Sequence, residues 1–266
     1  MSGNYSRPWD LRPPRIRRRA LALWHRNRRV WGRLIGPAVL MNFGEPLIYL
    51  FGLGLGLGFF IHDIGGMGYL AFLATGIMAS STMTSSSFEG MYSVFTRMGP
   101  QKTYDAILAT PLDLDDLIAG EMLWCAAKAT MSGAAILLVA TLLGVVTDLR
   151  ALLTVPVFFL IGLCFAGPAI VMSALARGYD FFQYYFTLII TPMLMLSGVF
   201  FPVSALPVWL QQVVYLLPLP HAVDLIRPLV TGHWPDGIWI HAAVLLAYGL
   251  GGYYLAVVFS RRRFSA

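Results

Sequence analysis

Apolar residues in this chain fall into long, nearly uninterrupted blocks, not into the narrow stripes of helices that bury a single face. Six blocks are each long enough to cross about 30 Å of hydrocarbon as a helix: about Ile35–Phe60, Tyr69–Phe95, Leu117–Val146, Leu152–Ala176, Phe181–Phe201 and Ile238–Ser260. The first contains Pro37, Glu45 and Pro46 and then glycines at 52, 54, 56 and 58. The pairs Gly52/Gly56 and Gly54/Gly58 let another helix approach closely, and they lack the spacing of a dinucleotide-binding loop. The second block is polar in its latter half, with Ser80, Ser81, Thr82, Thr84, Ser85, Ser86, Ser87 and Glu89. Hydroxyls bond readily to the carbonyl one turn back, so this row suits helix packing as well as a water path.

The intervals between blocks carry the rest of the pattern. Residues Pro202–Trp234 hold an apolar middle broken by Pro202, Pro207, Pro218, Pro220 and Pro228. Irregular backbone at membrane depth is tolerated only where protein buries it or it lines a cavity. This predicts a re-entrant hairpin of two half-helices, about Leu206–Leu217 and His221–Thr231. Ahead of the first block, Pro14–Arg33 interleaves Ile16, Leu21, Leu23, Trp24, Val30 and Trp31 with eight arginines. That mixture suits a helix lying in the membrane interface; the alternative is a basic tail that only sets orientation. The longest polar interval, Arg97–Glu121, holds Arg97, Lys102, Asp105, Asp113, Asp115, Asp116 and Glu121.

The expected fold is therefore all-α and membrane-integral, with six transmembrane helices, an N-terminal interfacial helix and an outward-facing re-entrant hairpin between helices five and six. Residues 1–34 form a cytosolic tail and interfacial helix, and 35–260 the transmembrane domain. That domain includes a cytosolic loop at 97–116 and the hairpin at 202–234. Residues 261–266 are a basic cytosolic tail.

Composition agrees. The 266 residues are 58% hydrophobic and only 12% charged, about half the charge of an ordinary soluble domain. The net charge of +6 would suit nucleic acid if it were spread over a surface, but ten of the 19 Lys and Arg precede residue 34 and three close the chain at 261–263. With both termini inside, sixteen cations fall on the cytosolic side and only Arg150 and Arg227 outside, which fixes the orientation. No cleaved signal peptide is expected, because the basic N-terminal stretch is too long and lacks a small-residue cleavage site. Cys125 and Cys164 read as buried free thiols.

Candidate chemistry is sparse. No nucleophile elbow, zinc-protease motif or phosphate loop occurs. Asp113, Asp115 and Asp116 are closely spaced carboxylates of the kind that hold magnesium against a diphosphate in membrane transferases. No second acidic cluster completes such a site, and the favoured reading is that these residues with Thr110 cap or start the third helix. Glu45, Glu89, Glu121 and Lys128 lie within or near spans, where charge is costly and faces a cavity or a partner. Snorkelling at cytosolic helix ends is the alternative for the last three. His221, Asp224 and Arg227 recur every three residues, so an Asp224–Arg227 pair would close the hairpin with a titrating His221 beside it. Six spans with little polar lining enclose no path alone, and a homodimer supplies one.

In PLDLDDLIAGEMLWCAAKA (111–129), YDFFQYYFTLIITPMLMLSGVFFPVSALP (179–207) and LPLPHAVDLIRPL (217–229), the chain resembles the permease subunits of ABC exporters of the type-2 class. YLFGLGLGLG (49–58) and SSSFEGMYSVFTRM (85–98) fit the same family, and the likeness spans nearly the whole sequence. The resemblance implies a non-enzymatic, multi-pass homodimeric permease in the bacterial inner membrane that binds two copies of a separate ATPase. ATP and magnesium then belong to the partner, and this chain holds no cofactor or metal. It also implies a coupling helix at Thr103, Tyr104, Asp105, Ala106, Ile107, Leu108 and Ala109, moved as a lever when the ATPases close. The implied substrate is an amphiphilic lipo-oligosaccharide such as a nodulation factor, with a hydrophobic drug or other lipid as the alternative. Candidate path residues, on spans one, two and five, are Glu45 as a polar contact and Tyr49, Phe51, Tyr92, Tyr184, Tyr185 and Phe186, whose aromatic faces suit acyl chains and sugar rings alike; lipid-facing or packing aromatics are the alternative.

Overall fold

The structure, a computed structural model, describes residues 9–32, 44, 47, 48, 50–54, 56–61, 63, 64, 66–146 and 148–265. Residues 33–43, and with them Pro37, as well as Glu45, Pro46 and Tyr49 lie outside the described residues. Helices dominate: α1 (Ala20–Trp31), α2 (Tyr69–Phe88), α3 (Val94–Met98), α4 (Thr103–Leu108), α5 (Leu114–Leu142), α6 (Thr154–Leu175), α7 (Phe181–Tyr185), α8 (Thr191–Leu196), α9 (Val208–Val214), α10 (Pro218–Val230) and α11 (Ile238–Ser265). The turn after the first apolar block contains a minimal antiparallel pair, β1 (Asp63–Ile64) with β2 (Met67–Gly68). Sequence pattern does not anticipate it, since two residues per strand carry no periodicity.

Among the described residues, Leu114–Leu142, Leu149–Leu175 and Ile238–Phe264 are long and apolar enough to cross a membrane. The serines and threonines of α2 dilute its hydropathy, yet α2 continues through a π-helical turn at Glu89–Ser93 into α3 as one rod. A second π turn, Phe186–Ile190, joins α7 to α8. Helices α9 and α10 are bent by 89° at a short break, where Pro218 enters at the first turn of α10, a position that needs no N–H donor. The last helix runs to Ser265, so Arg261, Arg262 and Arg263 are its final turns and not a detached tail.

The bundle packs α6 against α11, α5 and α2, and α10 against α2, α11 and α6, with α1 laid across α5. Small residues set the closest crossings. A Cβ on Gly167 of α6 would stand 2.5 Å from the Gly252 backbone of α11, so the two helices meet main chain to main chain. A Cβ on Gly120 of α5 would stand 2.6 Å from the Ala20 carbonyl oxygen, which lets α1 dock with Ala20, Leu23 and Asn27 inward. By contrast Gly52 and Gly56, read from sequence as a packing face, have nothing within 4 Å among the described residues, while Gly54 lies against Leu70.

Two apolar cores result. The larger joins α2, α5, α6 and α10 through Leu73, Met78, Phe158, Phe165 and Ile226. The smaller lies at the end that carries both described chain extremities, where Leu23, Val94, Met98, Tyr104, Ile118, Ile170 and Val257 meet. It seats the short helix α4 on the bundle.

Candidate functional site

The polar interval 97–121 folds back onto the spans on either side of it. Gly99–Lys102 makes the turn, with Lys102 in the left-handed region at φ 49°, and α4 follows. The Tyr104 side chain is fully buried in the smaller core, stacked on Phe264 with ring centroids 6.1 Å apart. Its hydroxyl donates to Glu121 Oε1 at 3.0 Å.

Glu121 is completely inaccessible and accepts from four donors. Besides Tyr104 these are Arg97 Nε (3.0 Å), Arg97 Nη2 (2.7 Å) and Asn27 Nδ2 (3.0 Å). A carboxylate has about four lone-pair sites, so its capacity is filled. Glu89, presented by the π turn, accepts from Lys128 Nζ at 2.8 Å, Ser93 Oγ at 2.9 Å and Trp124 Nε1 at 3.0 Å, and lies 3.4 Å from Arg97 Nη2. Two carboxylates and two cations thus form one buried network. It ties α1 through Asn27, α2 and α3 through Glu89 and Arg97, α4 through Tyr104, and α5 through Glu121 and Lys128.

Burial alone would weaken the Arg97 guanidinium's hold on its proton, but Glu121, Tyr104 and Glu89 outweigh it and its pKa stands above the ordinary value. The Tyr104 hydroxyl is held neutral by burial and next by the charge of Glu121, with its pKa well above the usual phenol range. Both residues keep fixed protonation at physiological pH.

The snorkelling alternative therefore does not describe Glu89, Glu121 or Lys128, which turn inward to one another and to Arg97. Asn27, Ser93 and Trp124 were not singled out from sequence. A signal existed: Glu89, Ser93 and Arg97 stand at i, i+4 and i+8, a row on one helical face.

The three aspartates form a clamp for the N-terminal segment. Asp115 accepts from Arg15 N at 2.9 Å and, in a bidentate pair, from Arg261 at 3.0 and 2.6 Å. Asp116 accepts from Arg17 N at 2.8 Å, and Asp113 from Arg17 Nη1 at 2.8 Å. Asp113 occupies the N-cap position of α5 but makes no side-chain cap hydrogen bond, while Asp115 and Asp116 lie in the first turn as the dipole favours. Carboxylates so committed to guanidinium and backbone donors act as a latch.

The remaining candidates separate. Thr103, Asp105, Ala106, Ile107 and Leu108 form α4 with Tyr104, and Ala109 closes it. Tyr92 stacks on Phe88 (4.2 Å) and on Tyr179 (6.1 Å), and Phe88 also meets Phe186. Tyr185 is buried, whereas Tyr184 and Phe51 are exposed. Glu45 and Tyr49 lie outside the described residues.

At the other end, no Asp224–Arg227 ion pair forms among the described residues. Arg227 instead reaches across to donate to Gly198 O at 2.7 Å and Thr75 Oγ1 at 3.1 Å, with its guanidinium 3.8 Å from the centre of the Phe72 ring. His221 meets His241 at 2.8 Å between Nδ1 atoms.

The sequence pattern of the family described as "ABC-2 type transporter" matches residues 18–230. The chain is 45% identical over 243 residues to "Nodulation protein J" of Rhizobium leguminosarum bv. trifolii, covering 91% of this chain and 93% of the relative. The same-named protein of Rhizobium meliloti (strain 1021) is 42% identical with equal coverage. "Inner membrane transport permease YadH" of Escherichia coli is 24% identical over 242 residues, 85% of this chain and 90% of that protein.

Proposed function

Since the chain belongs to the ABC-2 type transporter family and is the permease subunit of an ABC exporter, we propose that it exports a nodulation factor, an amphiphilic lipo-oligosaccharide. The substrate reading draws on the 45% and 42% identities to proteins named for nodulation. The protomer has six spans, with the first over 35–60 and a re-entrant hairpin at 202–234. It works as an inner-membrane homodimer with both termini in the cytosol and two copies of a separate ATPase below it. The sixteen-to-two split of cations across the spans supports that orientation.

One observation carries the mechanism: the Tyr104 hydroxyl of α4 bonds to Glu121, inside the longest apolar helix. Helix α4 is the part the ATPase grips. Closure of the ATPases pushes on α4, and Tyr104 passes the displacement to Glu121 and Arg97, hence to α5 and to the rod α2–α3. The π turns at 89–93 and 186–190 are where the second and fifth spans change pitch, and such turns recur at functional positions. Movement there opens a path at the dimer axis.

The test is a mild-detergent pull-down of the tagged chain from its native host with ATPase activity assayed on the eluate. An ATP-binding protein is recovered, and it is lost when residues 103–109 are replaced by Gly and Ser. A monodisperse chain that brings down no ATPase would sink the proposal.

A further inference from the structure

Beside the buried network lies a cavity of about 470 Å³, within the range of about 300–1,000 Å³ typical of small-molecule sites. It is an open cleft lined by α1, by the π turn and α3, by Gln101 in the turn before α4, by α5, and by Tyr179 in the link between α6 and α7. We propose that this cavity receives the sugar head of the exported amphiphile from the cytosolic side, before the molecule enters the dimer axis. This rests on the substrate reading above and adds a place for the substrate's polar end.

The lining decides the class of ligand. Trp31, Trp124, Tyr92 and Tyr179 supply four aromatic rings, with Trp31 and Trp124 edge to face at 6.2 Å and Tyr92 and Tyr179 nearly parallel at 6.1 Å. Gln101 adds an amide whose nitrogen keeps its donors, and Asn27, Ser93 and Thr96 line the wall as neutral polar groups whose own donors go to Glu121, Glu89 and the Tyr92 carbonyl. A compact anion requires several unneutralised cations. Here Arg97 and Lys128 are already neutralised by Glu121 and Glu89. Only Arg26 among the lining cations makes no ion pair among the described residues; it bonds to Asn27 Oδ1 at 3.0 Å. Flat apolar faces mixed with neutral donors and acceptors suit a polyhydroxylated ring with amide substituents better than a phosphate.

A second observation points to a missing acceptor. The Trp31 indole N–H is buried and has no hydrogen-bond partner among the described residues, a cost that folded proteins seldom carry without a reason. The cavity wall also includes Arg97, which reaches α4 through Glu121 and Tyr104, and Glu89 and Lys128, which join the network through Arg97. A sugar seated there touches the network through which the ATPase drives the spans, so occupancy and ATP hydrolysis are linked.

The experiment uses the permease co-purified with its ATPase in nanodiscs of zwitterionic lipid, and the probe is a fluorescent N-acylated chitotetraose. Wild type binds it, unacylated chitotetraose competes, and Arg26→Gln and Trp31→Phe each weaken binding about five- to tenfold. Equal affinity in both variants, with the probe still stimulating ATPase activity, overturns the site and leaves the exporter reading standing. A co-purifying complex that does not bind the probe overturns the site together with the substrate class. Displacement of the probe by phosphatidylglycerol from wild type but not from Arg26→Gln assigns the cavity to anionic lipid and also overturns the proposal.

Discussion

Tyr104 and Glu121 are 17 residues apart and joined by a 3.0 Å hydrogen bond in a fully buried setting, so a six-residue surface helix has a polar contact inside a 29-residue span. Tyr104→Phe keeps the ring on Phe264 and removes only that donor. The cost in stability is about 1–2 kcal/mol. The ATPase still co-purifies, but the ratio of substrate moved to ATP hydrolysed falls several-fold in proteoliposomes. An unchanged ratio would show that force passes by another route.

Arg97→Met leaves Glu121 with two of its four donors and Glu89 without its guanidinium. Removing one partner of a buried ion pair costs about 3–5 kcal/mol, and detergent thermal unfolding should register the loss. The double variant Arg97→Met/Glu121→Gln removes the stranded charge and recovers part of it; strict additivity of the two single changes would contradict the coupling.

Gly120→Val places a side chain where the Ala20 carbonyl and the Leu23 Cβ now stand at 2.6 and 2.8 Å. Helix α1 must lift from α5, with about 1–3 kcal/mol of overpacking. Limited trypsinolysis reports it: cleavage at Arg17, Arg18 and Arg19 accelerates relative to wild type.

The aspartates should differ sharply although they are neighbours. Asp113 and Arg17 are 60% and 47% exposed, and a pair so wet contributes about 0–1 kcal/mol. Asp115 is nearly buried and holds Arg261 in a fork, the strong geometry for this pairing. Asp115→Asn frees the 9–19 segment to protease while Asp113→Asn does not. Similar protection in both variants would refute the latch.

On the opposite end Arg227→Lys tests the contact of α10 with Gly198 and α2. A planar guanidinium serves Gly198 O, Thr75 Oγ1 and the Phe72 face together, and a compact ammonium does not. Arg227→Lys therefore lowers the unfolding temperature more than Asp224→Ala; the reverse order would restore the local pair.

The architecture was legible because its causes are local. Block length gave the three long apolar helices at Leu114–Leu142, Leu149–Leu175 and Ile238–Phe264, proline spacing gave the bent pair α9–α10, and cation placement predicted that the N-terminal segment, the 97–121 interval and the last turns of α11 share one end. Partner choice was not legible. Asp224 and Arg227 stand one turn apart and invite a local pair, but Arg227 finds a richer set of acceptors 29 and 152 residues away. Likewise Glu121 announced itself as a charge at a span edge and Arg97 only as part of the polar interval. That they neutralise each other, with Asn27 and Tyr104 completing the shell, depends on how α1 and α4 fold back, which no periodicity encodes. The small-residue signal was incomplete: of the glycine row at 52–58, Gly54 meets Leu70 closely, but the isolated Gly120, Gly167 and Gly252 make backbone crossings that no row announced.

The latch on Asp115 also sets an order of events during biosynthesis. Asp115 leaves the ribosome 146 residues before Arg261, the side chain that completes its fork. At about 5–20 residues per second, that interval is roughly 7–30 s. The backbone of Arg15 can reach Asp115 early, but the finished clamp waits for the final turns of α11 to arrive. The end of the protomer that carries the latch is thus completed only when the last turns of α11 have been made.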